Sequence, residues 1–165
     1  MVVATLGIIA MIAIPRLAGA AANADAAAMV ANVTVLQNAI DIYAAEHNNL
    51  NPTQDGDRSV NRNGVRFAAR LTGPTDDAGR AGGLFGPYLL RVPRNPDNDK
   101  NTIRIDGVPL GANLAGWRYS SARGIILPDD MDEAMAITIL RVGYGSKGAV
   151  KGGLVAVEAF ALTPP

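Results

Sequence analysis

The sequence predicts an α+β protein in which one long N-terminal helix packs on a small antiparallel sheet. Three observations carry this prediction: an uncharged apolar run at residues 1–14, an amphipathic pattern over residues 18–47, and short apolar segments between turns in the second half. The chain has 165 residues, which is enough for one ordinary domain beside the helix. We divide it into an apolar helix at 1–17, its amphipathic continuation at 18–47, a globular domain at 48–130 and a C-terminal extension at 131–165.

The apolar run MVVATLGIIAMIAI ends at Pro15 and Arg16. Its Ala, Leu, Ile and Met residues favour a helix in apolar surroundings, but a bilayer crossing needs about 20 such residues. Two other interpretations stay open. One is a secretory signal peptide, because LAGAAANA offers small residues of the cleavage type, although no basic residue precedes Val2. The other is a buried helix of a soluble domain.

The segment from residue 18 to residue 47 is amphipathic. Its apolar positions recur at intervals of three and four, which places them on one helix face, and they are Met29, Val33, Leu36, Ile40, Tyr43 and His47. Polar residues are distributed around this face, among them Asn32, Gln37, Asn38, Asp41 and Glu46. We therefore predict a single bent helix from Met1 to about Glu46, ended by left-handed Asn residues before Pro52.

The second half contains turn-dense loops and short strands. Residues 53–83 predict a long connecting loop with one helical turn at 67–71. Residues 102–105 predict a strand, and residues 117–120 predict a hairpin with residues 124–127 across SSARG. The C-terminal extension predicts two further strands around a glycine turn.

The N-terminal segment MVVATLGIIAMIAIPRL resembles the first helix of type IV pilins and of the pseudopilins of type II secretion. The resemblance continues in GPYL at 86–89, in the prolines and asparagine of VPRNP, and in the GW of the hairpin with Tyr119, Gly124 and Ile126. These motifs are similar to those of the major pseudopilins, and together they cover residues 1 to 130. The C-terminal extension departs from that pattern.

This resemblance implies a type IV pilin-like fold and a structural subunit rather than an enzyme. It implies a protomer anchored in the inner membrane with its globular domain in the periplasm, which leaves the membrane to self-associate into a helical filament. Other pseudopilins and the secretion or pilus assembly machinery are the implied partners. The family also implies a methylated N-terminus about seven residues upstream of Met1. A secretion pseudopilus and a surface pilus both fit.

Small residues recur every three positions in the apolar run. Lipid is as apolar as Ile, so helices in a filament core gain from close packing, which small side chains permit. We therefore predict an assembly helix built on Ala4, Gly7, Ala10, Ala13 and Pro15.

Composition excludes several classes of function. Fifteen basic and fifteen acidic residues leave no net charge, which gives no electrostatic basis for binding nucleic acid. The chain has no Cys and one His, His47, so neither a nucleophilic triad nor a tetrahedral zinc site can be assembled. We interpret His47 as a capping or packing residue. The GxGxxG pattern at 143–148 predicts a turn, because Gly152 and Gly153 interrupt the helix that a dinucleotide site needs.

Two acidic clusters are candidate calcium ligands. Asp97 and Asp99 alternate with Asn101, but Thr102 and Val108 occupy positions where an EF-hand needs Gly and Glu. Asp129, Asp130 and Asp132 follow the hairpin, where the resembling major pseudopilins hold a structural calcium ion. The other interpretation of this second cluster is a capping box between Asp130 and Glu133. Ca²⁺ is the only cofactor that the sequence suggests.

Two classes of function therefore stay open. The first is the filament subunit described above. The second is a secreted or periplasmic ligand-binding module, released from a signal peptide, whose loop 53–83 recognises its ligand. The state of the N-terminus distinguishes them, because the first retains the apolar helix and the second loses it.

Overall fold

The computed structural model describes the backbone of residues 2–131 and the side chains of residues 23–131. The elements in this part of the chain are α1 (Val2–Glu46), α2 (Gly64–Thr72), β1 (Ile103–Ile105), β2 (Trp117–Ser120) and β3 (Ile125–Pro128). The predicted α+β class is confirmed, and the arrangement is compatible with a pilin-like fold. The two predicted C-terminal strands and the GxGxxG turn lie outside the described residues.

Helix α1 is continuous through Pro15 and ends at Glu46, as the sequence predicts. Asn48 and Asn49 follow it with φ angles of 54° and 60°, so the predicted left-handed cap is confirmed. The Asn49 N–H donates to the carbonyl of Ala44 at 2.8 Å, which satisfies one of the last helical carbonyls.

Helix α2 is longer than the single turn predicted at 67–71. The Asn63 side chain caps its N-terminus by accepting hydrogen bonds from the N–H groups of Val65 and Arg66, at 2.9 and 3.1 Å. Gly64 lies against β1 so closely that a Cβ added there would be 1.7 Å from the Ile103 carbonyl oxygen. The cap explains why the helix begins at residue 64, and the close approach explains why that residue is Gly.

The three strands form one sheet in the order β1-β2-β3. Strands β2 and β3 are antiparallel, with Tyr119 opposite Ile126, so the predicted hairpin is confirmed. Strand β1 runs parallel to β2, with Arg104 opposite Arg118, and the prediction of a purely antiparallel sheet is therefore wrong. The reason is residues 106–116, a loop long enough to carry the chain back to the start of β2. We call this segment the crossover loop.

The core lies between α1, α2 and the sheet. Its largest fully buried side chains include Trp117, Tyr119, Tyr43 and Phe67. Trp117, the single tryptophan of the chain, donates from Nε1 to the Pro93 carbonyl at 2.9 Å, which ties the segment before the crossover loop to the sheet. The globular part is thus organised around the C-terminal half of α1.

Candidate functional site

The buried face of α1 joins the long helix to the globular part. All six apolar-face residues predicted from the sequence are at most 3% exposed, and the first of them along the chain is Met29. Burying side chains of this size contributes about 1.5–3 kcal/mol each. We therefore expect residues 29–47 of α1 and the sheet to behave as one rigid unit.

Gln37 connects α1 to the hairpin through polar contacts. Its Nε2 donates to the Gly124 carbonyl at 2.9 Å, and its Oε1 accepts from the Ile126 N–H at 3.1 Å. Nε2 also donates to the Asp41 carboxylate at 2.9 Å. Among the described strands, β3 lies at one edge of the sheet, so its outer backbone groups have no neighbouring strand to bond to. The Gln37 side chain provides their hydrogen-bond partners instead.

Gln37, which the sequence places among the polar residues around the apolar face, is itself buried against the globular part. The residue is only 6% exposed, because the hairpin lies over it. Asn32 also makes a long-range contact, since its Nδ2 donates to the Arg94 carbonyl at 3.0 Å. Neither position is therefore a neutral surface site, whereas Asn38 is exposed.

His47 packs at the end of α1, as predicted. Its ring stacks on Tyr43 with centroids 3.8 Å apart and planes 6° apart. One ring nitrogen lies 2.8 Å from the Tyr43 carbonyl oxygen and the other 2.9 Å from Thr75 Oγ1. Burial raises the pKa of the neighbouring Tyr43 hydroxyl. Both nitrogens of His47 are engaged in a fully buried setting, which fits a packing residue.

Residues 53–83 are organised by Arg70, which sequence analysis did not single out. Its side chain is 3% exposed and donates to the carbonyls of Pro52, Gln54 and Gly79 at 2.8 to 2.9 Å. It also forms an ion pair with Asp55. A guanidinium has five donors and can therefore bind several carbonyls of a folded loop at once. The signal in the sequence is an arginine on the buried face of α2, beside Phe67 and Leu71.

An open depression of about 260 Å³ is formed by residues of this segment. Polar and small residues line it, namely Asp55, Gly56, Asp57, Arg66, Ala78 and Arg80. The Ser59 hydroxyl and N–H hydrogen bond to Asp57 and lower the pKa of its carboxyl group. Arg66 forms an ion pair with Asp55 at 3.0 Å, so part of the polar lining is satisfied internally.

The first acidic cluster is divided by the structure. Asp99 pairs with Arg94 at 3.0 Å in an exposed ion pair. Burial, followed by the charges of Asp130 and Asp25, raises the pKa of Asp97. Asp97 and Asp99 therefore face different neighbours. Within the part of the chain that the structure describes, no three His, Asp or Glu side chains are grouped so as to hold a metal ion.

The second acidic cluster is described only in part, because Asp132 and Glu133 lie outside the described residues. Asp129 is fully buried and pairs with Arg104. Asp130 accepts a hydrogen bond from Asn95 Nδ2 at 2.7 Å. Calcium binding by either cluster, and the capping box, stay predictions.

The predicted assembly residues all lie on α1. Ala4, Gly7, Ala10, Ala13 and Pro15 belong to its first four turns, and their backbone is helical throughout. Among the described residues, no helix has the length and apolarity needed to cross a bilayer.

A long N-terminal helix that carries a small sheet on its C-terminal half is compatible with a pilin-like fold. Comparison with known proteins gives two informative matches. The chain is 29% identical over 134 residues to the type II secretion system core protein G of Vibrio cholerae, and the match covers 70% of this chain and 84% of the relative. It is 31% identical over 96 residues to the core protein G of Aeromonas hydrophila, where the match covers 58% of this chain and 59% of the relative.

These matches relate the chain to the major pseudopilins of type II secretion, the protein G group, as the sequence motifs indicate. Both relatives are named as core proteins of a secretion system and not as enzymes, in agreement with the sequence prediction. No protein-family model matches the chain. No solved structure matches it either.

Proposed function

We propose that this chain is a structural subunit of a type IV pilus-like filament and, specifically, a protomer of a type II secretion pseudopilus. The observation that carries the proposal is that the two halves of α1 differ: one carries the globular part and the other carries the apolar run. The helix has 45 residues, and among its described side chains, which begin at residue 23, the first buried one is Met29, so the core of the globular part is built on the C-terminal half. The apolar run of the sequence lies in the other half.

In this proposal the apolar half serves first as a membrane anchor and then as part of the filament core. On assembly it exchanges lipid for the same helix of neighbouring protomers. The exchange gains little from hydrophobicity, because lipid and Ile are equally apolar, so the gain comes from close packing. The small residues at positions 4, 7, 10 and 13 would permit that close approach.

The outward face of α1 supports contacts between protomers beyond the apolar half. Val35 and Ile42 are 48% and 51% exposed, and they are seven residues apart, so they lie on one face two turns from each other. A neighbouring protomer that buried both with a different part of its own surface would make a head-to-tail contact. Contacts of this type generate open helical filaments when the rotation between protomers does not close into a ring.

The partners and location follow from the same proposal. The protomer would reside in the inner membrane as a single-pass protein, with the globular domain in the periplasm, until the assembly machinery incorporates it. Other pseudopilins would join the same filament. The balanced charge of the chain gives no support for a nucleic-acid partner.

The depression beside loop 53–83 favours a second candidate, a secreted or periplasmic ligand-binding module. Its two arginines and two aspartates suit a small polar ligand rather than an apolar one. In that case the apolar run would be a signal peptide, absent from the mature protein.

Fractionation of the native cell, combined with intact-mass measurement, separates the two candidates. A pseudopilin is expected in the membrane fraction and in sheared filaments, with the apolar helix retained in both. Enrichment in filaments should require an active secretion system. A soluble periplasmic protein that begins after Ala20 would refute the filament proposal and support the binding module.

A further inference from the structure

The carboxylate of Asp129 is surrounded by hydrogen-bond donors. Its Oδ2 accepts from the N–H groups of Leu114 and Ala115 at 2.9 and 2.8 Å. Its Oδ1 accepts a hydrogen bond from Arg104 Nε at 2.7 Å and forms an ion pair with Nη2 of the same guanidinium. The carboxylate is fully buried. Both oxygens are therefore engaged by groups that a cation would have to displace.

The guanidinium of Arg104 lies between this carboxylate and three carbonyl oxygens of the crossover loop. One terminal nitrogen donates to the carbonyls of Asp106 and Val108 at 2.9 and 2.6 Å, and the other donates to the Pro109 carbonyl at 2.9 Å. Carboxylate and carbonyl oxygens are the ligands that calcium prefers. Arg104 thus holds the kind of oxygen set that a metal ion would bind.

These contacts decide how well calcium fits at Asp129. A calcium ion takes six to eight oxygen ligands, whereas the neighbours of Asp129 are N–H groups and a positive charge. A second cation next to the guanidinium of Arg104, whose side chain is 15% exposed, would be repelled at close range. The surroundings of Asp129 do not fit the structural calcium ion that the pilin resemblance implies.

We propose that Arg104 is a built-in cation that takes the place of a metal ion at this end of the sheet. It joins Asp129, after β3, to the crossover loop and so fixes the turn that makes β1 and β2 parallel. The folded state then gains no stability from calcium bound at Asp129. This inference does not depend on the proposed function, because it concerns only the globular part.

Thermal unfolding of the full chain in detergent, with calcium and with chelator, is the first test. An ion that binds the folded state raises its melting temperature. We expect the wild-type midpoint to be the same in both conditions. A rise of several degrees with calcium that disappears in Asp129→Asn would overturn the proposal.

Substitution of Arg104 is the second test. Arg104→Ala leaves a buried carboxylate unpaired, and we expect the midpoint to fall by about 10 °C. Arg104→Lys keeps the charge but loses the planar fork, so its midpoint should lie between those of the wild type and the alanine variant. Arg94→Gln breaks an exposed ion pair and should change the midpoint by less than about 2 °C. Equal midpoints for Arg104→Ala and Arg94→Gln would contradict the role of Arg104.

Terbium luminescence provides a test that does not require any Arg104 variant to fold. Terbium can replace calcium, and Trp117 lies opposite Pro128 on the neighbouring strand, close to Asp129. We expect the same terbium signal from the wild type and from Asp129→Asn. A saturable signal that calcium displaces and that Asp129→Asn abolishes would show a metal site at Asp129 and refute the proposal.

Discussion

Replacement of Gln37 by Ala tests whether the polar contact between α1 and the hairpin stabilises the fold. The change removes the partner of the Gly124 carbonyl and of the Ile126 N–H. Each buried group left without a hydrogen bond costs about 1–3 kcal/mol. Ala is a slightly better helix former than Gln, which offsets only a small part of this loss. Because the contact with Gly124 is only partly buried, its loss costs an amount at the low end of this range, and we expect the free energy of unfolding to fall by about 2–4 kcal/mol in total.

Urea unfolding followed by Trp117 fluorescence measures this loss. Trp117 is fully buried and is the only tryptophan, so its emission reports on the sheet that Gln37 contacts. With a slope of about 2 kcal/mol per molar urea, the midpoint should fall by about 1–2 M.

Asn38→Ala is the matched control, because the neighbouring residue on the same helix is exposed. It should change the free energy of unfolding by less than about 0.5 kcal/mol. Equal midpoints for the Gln37 and Asn38 variants would refute the interpretation of Gln37 as a buried link.

Two further predictions concern the globular part. Gly64→Ala should lower the free energy of unfolding by about 1–3 kcal/mol, because the new Cβ would collide with the Ile103 carbonyl. The control is Val65→Ala, at an exposed position, which should change the free energy of unfolding by less than about 0.5 kcal/mol. Burial alone would raise the pKa of the Asp106 carboxyl group. Hydrogen bonds from Ser121 and the ion pair with Arg62 outweigh this effect, so the pKa of Asp106 is lower in the folded state than in the unfolded state. Its stabilising contribution is therefore present above the unfolded pKa of about 3.9 and is lost as the pH falls through the folded value. Denaturant midpoints at a series of pH values should show wild type and Asp106→Asn converging in acid; a constant difference would contradict this.

The sequence predicts those parts of the fold that depend on local pattern. The buried face of α1 repeats every three to four residues, so six of its members could be identified from the sequence, whereas Gln37 and Ala39, which are also buried, could not. The asparagine cap and the hairpin also depend on residues close in the chain, and both are confirmed.

The contacts that sequence analysis missed join distant residues. Gln37 is 89 positions from Ile126, and Arg104 is 25 positions from Asp129. A glutamine on a helix and an arginine in a short strand look like surface residues until their partners are known. The parallel pairing of β1 and β2 was missed for the same reason, because the crossover loop is held by Arg104 and not by a turn motif.

The measurement that tests the central claim most directly is filament assembly by Gly7→Leu protein in the native cell. Leu is as soluble in lipid as the residues around it, so the amount of membrane-inserted protein should equal that of the wild type. Overpacking in a filled helical core costs about 1–3 kcal/mol at each site, and every protomer would carry the change. We therefore expect sheared filaments to be lost, while Val65→Leu, at an exposed position of α2 in the globular part, should assemble. Normal filaments from Gly7→Leu protein would contradict the claim that α1 is the assembly core.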